Sequence, residues 1–470
     1  MPPRKPASPK QPFTNGHTLV PGATLYQKVR EAISVKKFDD GPWPTAVIEH
    51  EGVKAVATVQ PDPDGLARLK APELQKARSR MWELVSGMDD LTADVLDAVA
   101  CLWIQQAGHR DQMVWLTADQ FLAFRGLRPH RNSEGRSSGY KDDQRRRVAE
   151  HLERLESTWI DVMELEVLEE YTTTDGKTRR RRRKWKGRSR ALIRSSEFGQ
   201  ATITGGVDPY AWKVRPGDVF GEFLLGPGRD VVLLSRKALE YDPYRQDIEK
   251  RLARFFAYQW RPGQLDEGPQ FTVGDLLEAS HKAISAKHPS STKDRLERAL
   301  LTLAIDKVIT IPGLMEAAAQ LTQNDQEGTA TALPQLVAEE RIVLADFLYP
   351  EGRRQDTVGN SKWWVEWQAR PVVIGPPPIL KEMYKVIAPP PDQDVVRMAE
   401  SLEDGARPKR RDLVDELVRA RETNGLTLAD VAAALGVTKG YLSMLERRTR
   451  PLSDQMAVRL ETWLDQVGAL

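Results

Sequence analysis

"YKDDQRRRVAEHLERLESTWIDVMELEVLEEYTTTDGKTRRRRRKWKGRSRALIRSSEF", residues Tyr140 to Phe198, decides how the chain is read. Val148, Leu152, Leu155 and Trp159 recur at i, i+4, i+7 and i+11. That stripe predicts an amphipathic helix, with Lys141, Gln144, Arg145 and Arg147 towards its N-terminal, solvent side. Ile160, Val162, Leu165 and Val167 then predict a strand whose alternation slips once, Asp175-Gly176 supplies a turn, and "SRALIRSSEF" reads as the returning strand. In between, ten of the fourteen positions from Lys177 to Arg190 are basic and none is acidic: Lys177, Arg179, Arg180, Arg181, Arg182, Arg183, Lys184, Lys186, Arg188 and Arg190. The whole chain carries a formal charge of only +2.

Two helical patterns precede this segment. "LTADVLDAVACLWIQQ" places Leu91, Val95, Val99, Leu102 and Trp103 on one stripe, with Thr92 as its expected cap, and "LTADQFLAFRGL" gives a short helix from Thr117. Helix, helix, amphipathic helix, then hairpin is the layout of a winged helix, with the arginines on the wing. A second set follows. "RQDIEKRLARFFAYQW" has Ile248, Leu252, Phe255, Phe256 and Trp260 on one face, "FTVGDLLEASH" parallels "LTADQFLAFRGL", and "STKDRLERALLTLAIDKVITI" repeats the third-helix spacing with Leu296, Leu300, Leu303 and Val308. Ser291 and Asp294 are the expected capping box of that helix. "KWWVEWQARPVVI" is expected to close the second hairpin as a core strand after a long insertion. The repeated order points to internal duplication.

The last sixty residues carry the most specific pattern. In "LTLADVAAALGVTKGYLSMLERRTR" Thr427 caps one short helix, Gly436 ends it in a left-handed conformation, and Thr438 caps the next. Val431, Leu435, Val437, Leu442 and Leu445 form the small core. This segment resembles the Cro/C1-type helix-turn-helix of phage repressors and bacterial regulators, from about Leu413 to Leu464. The resemblance implies a recognition helix starting near Thr438, with Lys439, Gly440, Ser443 and Met444 towards base edges and Tyr441 beside the backbone. It also implies that Arg447, Arg448 and Arg450 meet phosphates. Leu428, where many members carry Gln, and Arg448, where Gly usually follows the helix, depart from the family pattern.

These readings give an α+β chain, mainly α with small β-wings. Its expected parts are a disordered tail (1–25), an N-terminal extension without an assigned role (26–80), winged-helix domains over 81–205 and 225–386, a linker (387–411) and a helix-turn-helix domain (412–470). The tandem pair resembles the twin winged-helix replication initiators of plasmids, which implies binding to double-stranded DNA at origin iterons, dimerisation through the first winged domain, and contact with host replication proteins. In the winged pair, Lys141, Gln144, Arg145, Arg147, Lys293, Arg295 and Arg298 are the expected reading residues. The basic hairpin is expected to grip phosphate, where each neutralised charge releases counterions; a merely solvated loop is the alternative. A transcriptional regulator led by the C-terminal module, a partition protein marking a centromere, and a scaffold that touches DNA weakly are the rival functions.

Other classes find little support. No P-loop, dinucleotide fingerprint or nucleophile elbow is present, so no enzyme, cofactor or metal is expected. The single cysteine, Cys101, excludes an intramolecular disulfide, and a reducing cytoplasm is the expected compartment. No apolar run approaches the ~18 residues that cross a bilayer. Most acids lie on helical faces and read as solvated pairs.

Overall fold

The computed structural model describes residues 16–50, 52–66, 68–107, 109, 111–131, 137–172, 178–201, 207–225, 230–261, 265, 270–285, 287–322, 326–349, 363–387, 410–423, 426–446, 456, 460 and 463–464. The fold is α+β and divides into two compact units, 1–382 and 383–470.

Unit 1 begins with β1 (His17–Pro21), α1 (Thr24–Val35), β2 (Thr45–His50), β3 (Val53–Val59), α2 (Pro63–Leu66) and α3 (Ala71–Ser86). The first winged helix follows: α4 (Asp90–Gln106), β4 (Val114–Thr117), α5 (Ala118–Phe124), the small β5 (His130–Arg131) and β6 (Ser137–Gly139), α6 (Asp142–Glu156), β7 (Thr158–Thr172), β8 (Thr178–Arg190), β9 (Leu192–Ala201), β10 (Val207–Pro216) and α7 (Asp218–Leu225). After β11 (Val231–Ser235) and α8 (Lys237–Glu240), the second unit of the pair runs through α9 (Asp247–Gln259), β12 (Phe271–Thr272), α10 (Val273–Ala279) and α11 (Pro289–Ile305). It ends with α12 (Leu314–Thr322), α13 (Gln326–Ala338), α14 (Ala345–Leu348), α15 (Trp363–Gln368), β13 (Pro371–Val372) and α16 (Ile379–Ile387).

Four expectations are corrected. The tail predicted over 1–25 is structured in its last part: β1 pairs antiparallel with β11, His17 against Ser235, and Val20 is fully buried. The extension is not a separate appendage, because β2 and β3 continue into one sheet of order β2-β3-β7-β8. The basic strand β8 is therefore the outer strand of that sheet, and "LIRSSEFGQA" belongs to another of order β4-β10-β9. The wing of the first unit is β9–β10, because β10 is the strand that pairs with β4 between the first and second helices. Finally, "WWVEWQ" is helix, not strand, and only Pro371-Val372 pairs with β12. Trp363 and Trp367 lie at i, i+4 with ring centroids 6.1 Å apart, and Trp367 is fully buried, in keeping with a core role.

Helix starts follow local hydrogen bonding. Asp89, not Thr92, caps α4, accepting from the Leu91 and Thr92 amides, while Thr92 answers at the third helical position. α11 starts at Pro289, two residues before the expected Ser291 cap, consistent with the fixed φ of proline at a first turn.

The two winged units are joined by buried charge. Asp90, Asp94 and Asp97 form one stripe of α4, and Lys250, Arg251 and Arg254 one stripe of α9. The Arg251 guanidinium lies 3.1 Å from Asp90, the Lys250 ammonium 2.8 Å from Asp94, and Arg254 Nε 3.0 Å from Asp97. Arg254 also bonds Asp94, and Ser34 of α1 bonds Asp90. Tyr26 of α1 donates to Asp97 at 2.8 Å. Asp94 and Lys250 are 0 % exposed. Burial pushes the Lys250 ammonium down to about 8, with Asp94 opposing. Lys250 also donates to the carbonyls of Ala238, Leu239 and Tyr241, closing the end of α8.

His151 of α6 packs on α4 nearby. The Arg154 guanidinium, which can only donate, lies 2.9 Å from His151 Nδ1, and Thr92 Oγ1 is also 2.9 Å away. Nδ1 therefore accepts, and the ring is neutral with its proton on Nε2. Burial, then Arg154, Arg125 and Arg147, push its pKa down to about 3.

Unit 2 contains α17 (Arg410–Thr423), α18 (Leu428–Ala434) and α19 (Lys439–Glu446). Leu417, Val431, Ala432, Leu435, Leu442, Leu445, Met456, Leu460 and Trp463 form its core, and Val437 packs against it partly buried. The predicted linker lies outside the described residues except at its two ends.

Two predictions follow from this packing. Asp94→Asn leaves Lys250 and Arg254 buried with one carboxylate fewer, so it should cost about 3–5 kcal/mol in urea unfolding; a loss under 1 kcal/mol would show that the junction does not depend on these pairs. His151 binds a proton in the unfolded chain below about pH 6.5 but not in the fold until about pH 3. Its contribution is therefore complete above pH 6.5 and is lost as pH falls, by up to about 1.4 kcal/mol per pH unit. Stability measured at pH 7 and pH 5 should fall more for the wild type than for His151→Gln.

Candidate nucleic-acid interface

Three helices stand where a helix-turn-helix presents its reader: α6, α11 and α19. Each follows a second helix capped by threonine. Thr117 Oγ accepts from the Gln120 amide, Thr272 from Asp275 and Thr427 from Asp430. In the latter two the acid returns the bond to the threonine amide, at 2.8 and 2.9 Å, completing a capping box.

On α6, the Gln144 side chain accepts from the Lys141 amide at 3.1 Å, so Gln144 finishes the helix start. Arg147 is exposed. Arg145 is held by Asp119 of α5 through Nε at 2.6 Å and Nη2 at 2.8 Å, and reaches Asp142 at 3.3 Å. Gly139, with φ of 82°, lets this guanidinium lie against the chain, since a Cβ there would sit 3.0 Å from Arg145 Nη2.

The same device recurs on α11. Arg295 donates to Asp247 of α9 at 2.6 Å, and Lys282 shares that carboxylate. Lys293 lies 5.8 Å from the Trp363 ring, and Arg298 is exposed. Trp367 Nε1 donates to Tyr349 Oη at 3.0 Å and Tyr349 donates to Glu297 at 2.9 Å, which backs α11 from the helical segment that replaces a second β-wing.

On α19, Thr438 Oγ1 accepts from the Tyr441 amide at 3.2 Å. Lys439, Gly440 and Met444 are exposed, Ser443 is half-buried, and Tyr441 packs beside the core. Gly436 has φ of 65°, the left-handed conformation expected of it. Arg421 bonds Glu446 at 2.9 Å and ties α17 to α19. Arg447, Arg448 and Arg450 lie outside the described residues, as does Lys177.

The basic hairpin carries its own counter-charge. Arg180 stands opposite Glu170, Arg181 opposite Glu169, and Lys184 opposite Glu166, while Arg179, Arg182 and Arg183 stand opposite Tyr171, Leu168 and Val167. Lys184 lies 2.6 Å from Glu164; the lysine holds that carboxyl below its usual range and is itself raised. Arg188 meets Asp161 at 3.1 Å, and Arg190 meets Asp62 at 2.7 Å. The Arg188 and Arg190 guanidiniums also cover the Trp159 ring at 5.1 and 4.9 Å from its centroid. Lys186 is exposed. The run is thus half of an acid-base ribbon.

Sequence reasoning passed over an aromatic patch on the outer face of the wing. Trp115 and Phe198 are 44 % and 58 % exposed, with rings in a T-shaped pair at 5.2 Å. The alternation of "VWLT" against "YAWKV" was the available signal.

A threonine-capped helix pair whose second helix is exposed on a compact core is the arrangement of a helix-turn-helix, and the C-terminal part of the chain carries one. Residues 417–465 match the family model described as helix-turn-helix. Two solved structures of domains 2 and 3 of RctB are similar to the chain. One has 12 % identity and a TM-score of 0.28 over 58 % of this chain and 85 % of that one. The other has 14 % identity and a TM-score of 0.28 over 57 % and 82 %. No curated protein sequence matches it. Among the described residues no single helix is long and apolar enough to cross a membrane.

The held arginines generate a test. If Asp119 aims Arg145 at a base, Asp119→Ala and Arg145→Ala should erase the same base preference, by about 1–3 kcal/mol, in selection from randomised DNA. Equal weakening on specific and random DNA would assign Arg145 to the backbone.

Proposed function

We propose that the protein is a replication initiator of a plasmid or plasmid-like replicon, binding iteron repeats through its two winged units. The observation that carries this reading is the junction of buried Asp90, Asp94 and Asp97 with buried Lys250 and Arg254 and half-buried Arg251. A junction of that kind keeps α6 and α11 at one fixed separation, which suits a monomer reading two successive major grooves of a single direct repeat. A repressor that pairs two copies across an inverted repeat needs no such bond within one chain. Dense charge outside the reading helices supplies affinity, and the helices supply choice. On an iteron array, strain in the bound duplex would open a neighbouring A·T-rich segment for a host helicase. The role is one of binding, without a catalytic step. The helix-turn-helix module adds affinity through effective concentration when tethered.

A chain ending at Asp394 should retain the site preference of the full chain on direct repeats of its own flanking DNA, with weaker affinity, in footprinting. The full chain should sustain replication of a plasmid carrying those repeats. If the shortened chain shows no preference while residues 405–470 alone find the site, the C-terminal module is the reader and a transcriptional regulator is the better description.

A further inference from the structure

The turn Asp242–Gln246, between α8 and α9, touches the supports of both reading helices of the winged pair. At one end Tyr244 Oη donates to Asp89 Oδ2 at 3.2 Å. Asp89 Oδ1 lies 3.9 Å from His151 Nδ1 of α6, one helical turn from the exposed Arg147. At the other end the residue after the turn is Asp247, which holds Arg295 of α11 at 2.6 Å. Within six residues the chain passes from the support of one reader to the support of the other.

The turn is tightly determined. Asp242 Oδ1 accepts from the amides of Tyr244 and Arg245, both at 2.9 Å. The Gln246 amide donates to the Asp242 carbonyl at 2.9 Å, and the Gln246 side chain accepts from the Asp242 amide at 3.3 Å. Pro243 is buried beneath it. What the turn displays is polar and cationic: Tyr244 is 71 % exposed, and Arg245 is exposed with no ion pair among the described residues. The neighbouring acids are engaged by backbone amides, Asp242 as above and Asp89 by Leu91 and Thr92.

We propose that Arg245, on a turn that Tyr244 ties to Asp89, forms a third duplex contact, to the phosphates of the spacer between the two major grooves read by α6 and α11. This rests on the two-groove reading given above. When two helices enter successive grooves on one face of a duplex, a ridge of backbone lies between them, and the protein segment between the helices faces that ridge. A rigid turn offering a guanidinium fits phosphate, since such contacts fix register without reading sequence.

The test uses full-length protein, as Arg245→Ala, on DNA carrying its direct repeat. The Arg245 side chain is exposed, so thermal melting should be unchanged. Hydroxyl-radical and ethylation-interference footprints should lose the spacer signal in Arg245→Ala while both groove footprints persist. The slope of log affinity against log salt should shrink by about 0.9, equally on specific and random DNA. Two groove footprints with an unaltered spacer signal and slope would overturn the contact but leave the two-groove reading standing. Absence of paired groove footprints with the wild type would overturn both.

Discussion

Five charged side chains buried between α4 and α9, with the half-buried Arg251 beside them, are the constraint on which the architecture of the winged pair depends. Charges removed from water cost several kcal/mol each unless their partners and hydrogen bonds are complete. The partners here come from separate parts of the chain: acids from α4, bases from α9, Tyr26 and Ser34 from α1, and the end of α8 under Lys250. A hydrophobic interface of similar area could slide by a fraction of a turn. The spacing of Asp90, Asp94 and Asp97 against Lys250, Arg251 and Arg254 admits one register, because a shift leaves buried charges unpaired. The N-terminal segment is therefore structural mortar, which explains why β1 must reach β11 and why α1 packs where it does.

The second theme is charge that is present but already answered. The two expected readers, Arg145 and Arg295, are each held by an acid from a neighbouring helix, and the basic strand β8 lies against the acidic strand β7. This accounts for a dense basic run in a chain of net charge +2. A strand with unopposed arginines would bind any duplex through counterion release alone. Acids stand across the ladder from Arg180, Arg181 and Lys184, so an anion would compete with carboxylates for only part of this charge. Aimed arginines lose less side-chain entropy on meeting a base, and the acid that aims them sets their geometry.

Much of this was legible in the chain, and what was not has identifiable causes. The three second helices could be read because threonine caps, third-position amides and apolar spacing are all local. The core of the C-terminal module was readable for the same reason. The wing was misplaced because alternation continues through four strands from Thr158 to Pro216, and periodicity does not say which strands pair. β1 was missed because five residues after a Pro-rich start give little signal, and their partner lies more than 200 positions downstream. The acids of α4 were read as solvated because a charged stripe beside an apolar one is the ordinary surface pattern. Only Arg254, 160 positions from Asp94, reveals them as interior. Trp363 and Trp367 were taken as a strand pair although their i, i+4 spacing is helical.

The two winged units share some features and differ in others, and the pattern has a physical logic. What they share is the support of the reading helix: a threonine-capped second helix and an acid that holds an arginine of the third. What differs is the wing. In the first unit β4 is completed by a long hairpin; in the second, β12 pairs with two residues only, and helices α12 to α15 fill the space. The helices bring Tyr349 and Trp363 onto Glu297 and Lys293, so α11 gains a rigid backing that α6 receives from α4 through His151. A support must keep its geometry because a one-ångström error in a reader misses the base edge. A wing meets a uniform backbone and tolerates replacement. That asymmetry leaves the first unit with the extended strands of its wing.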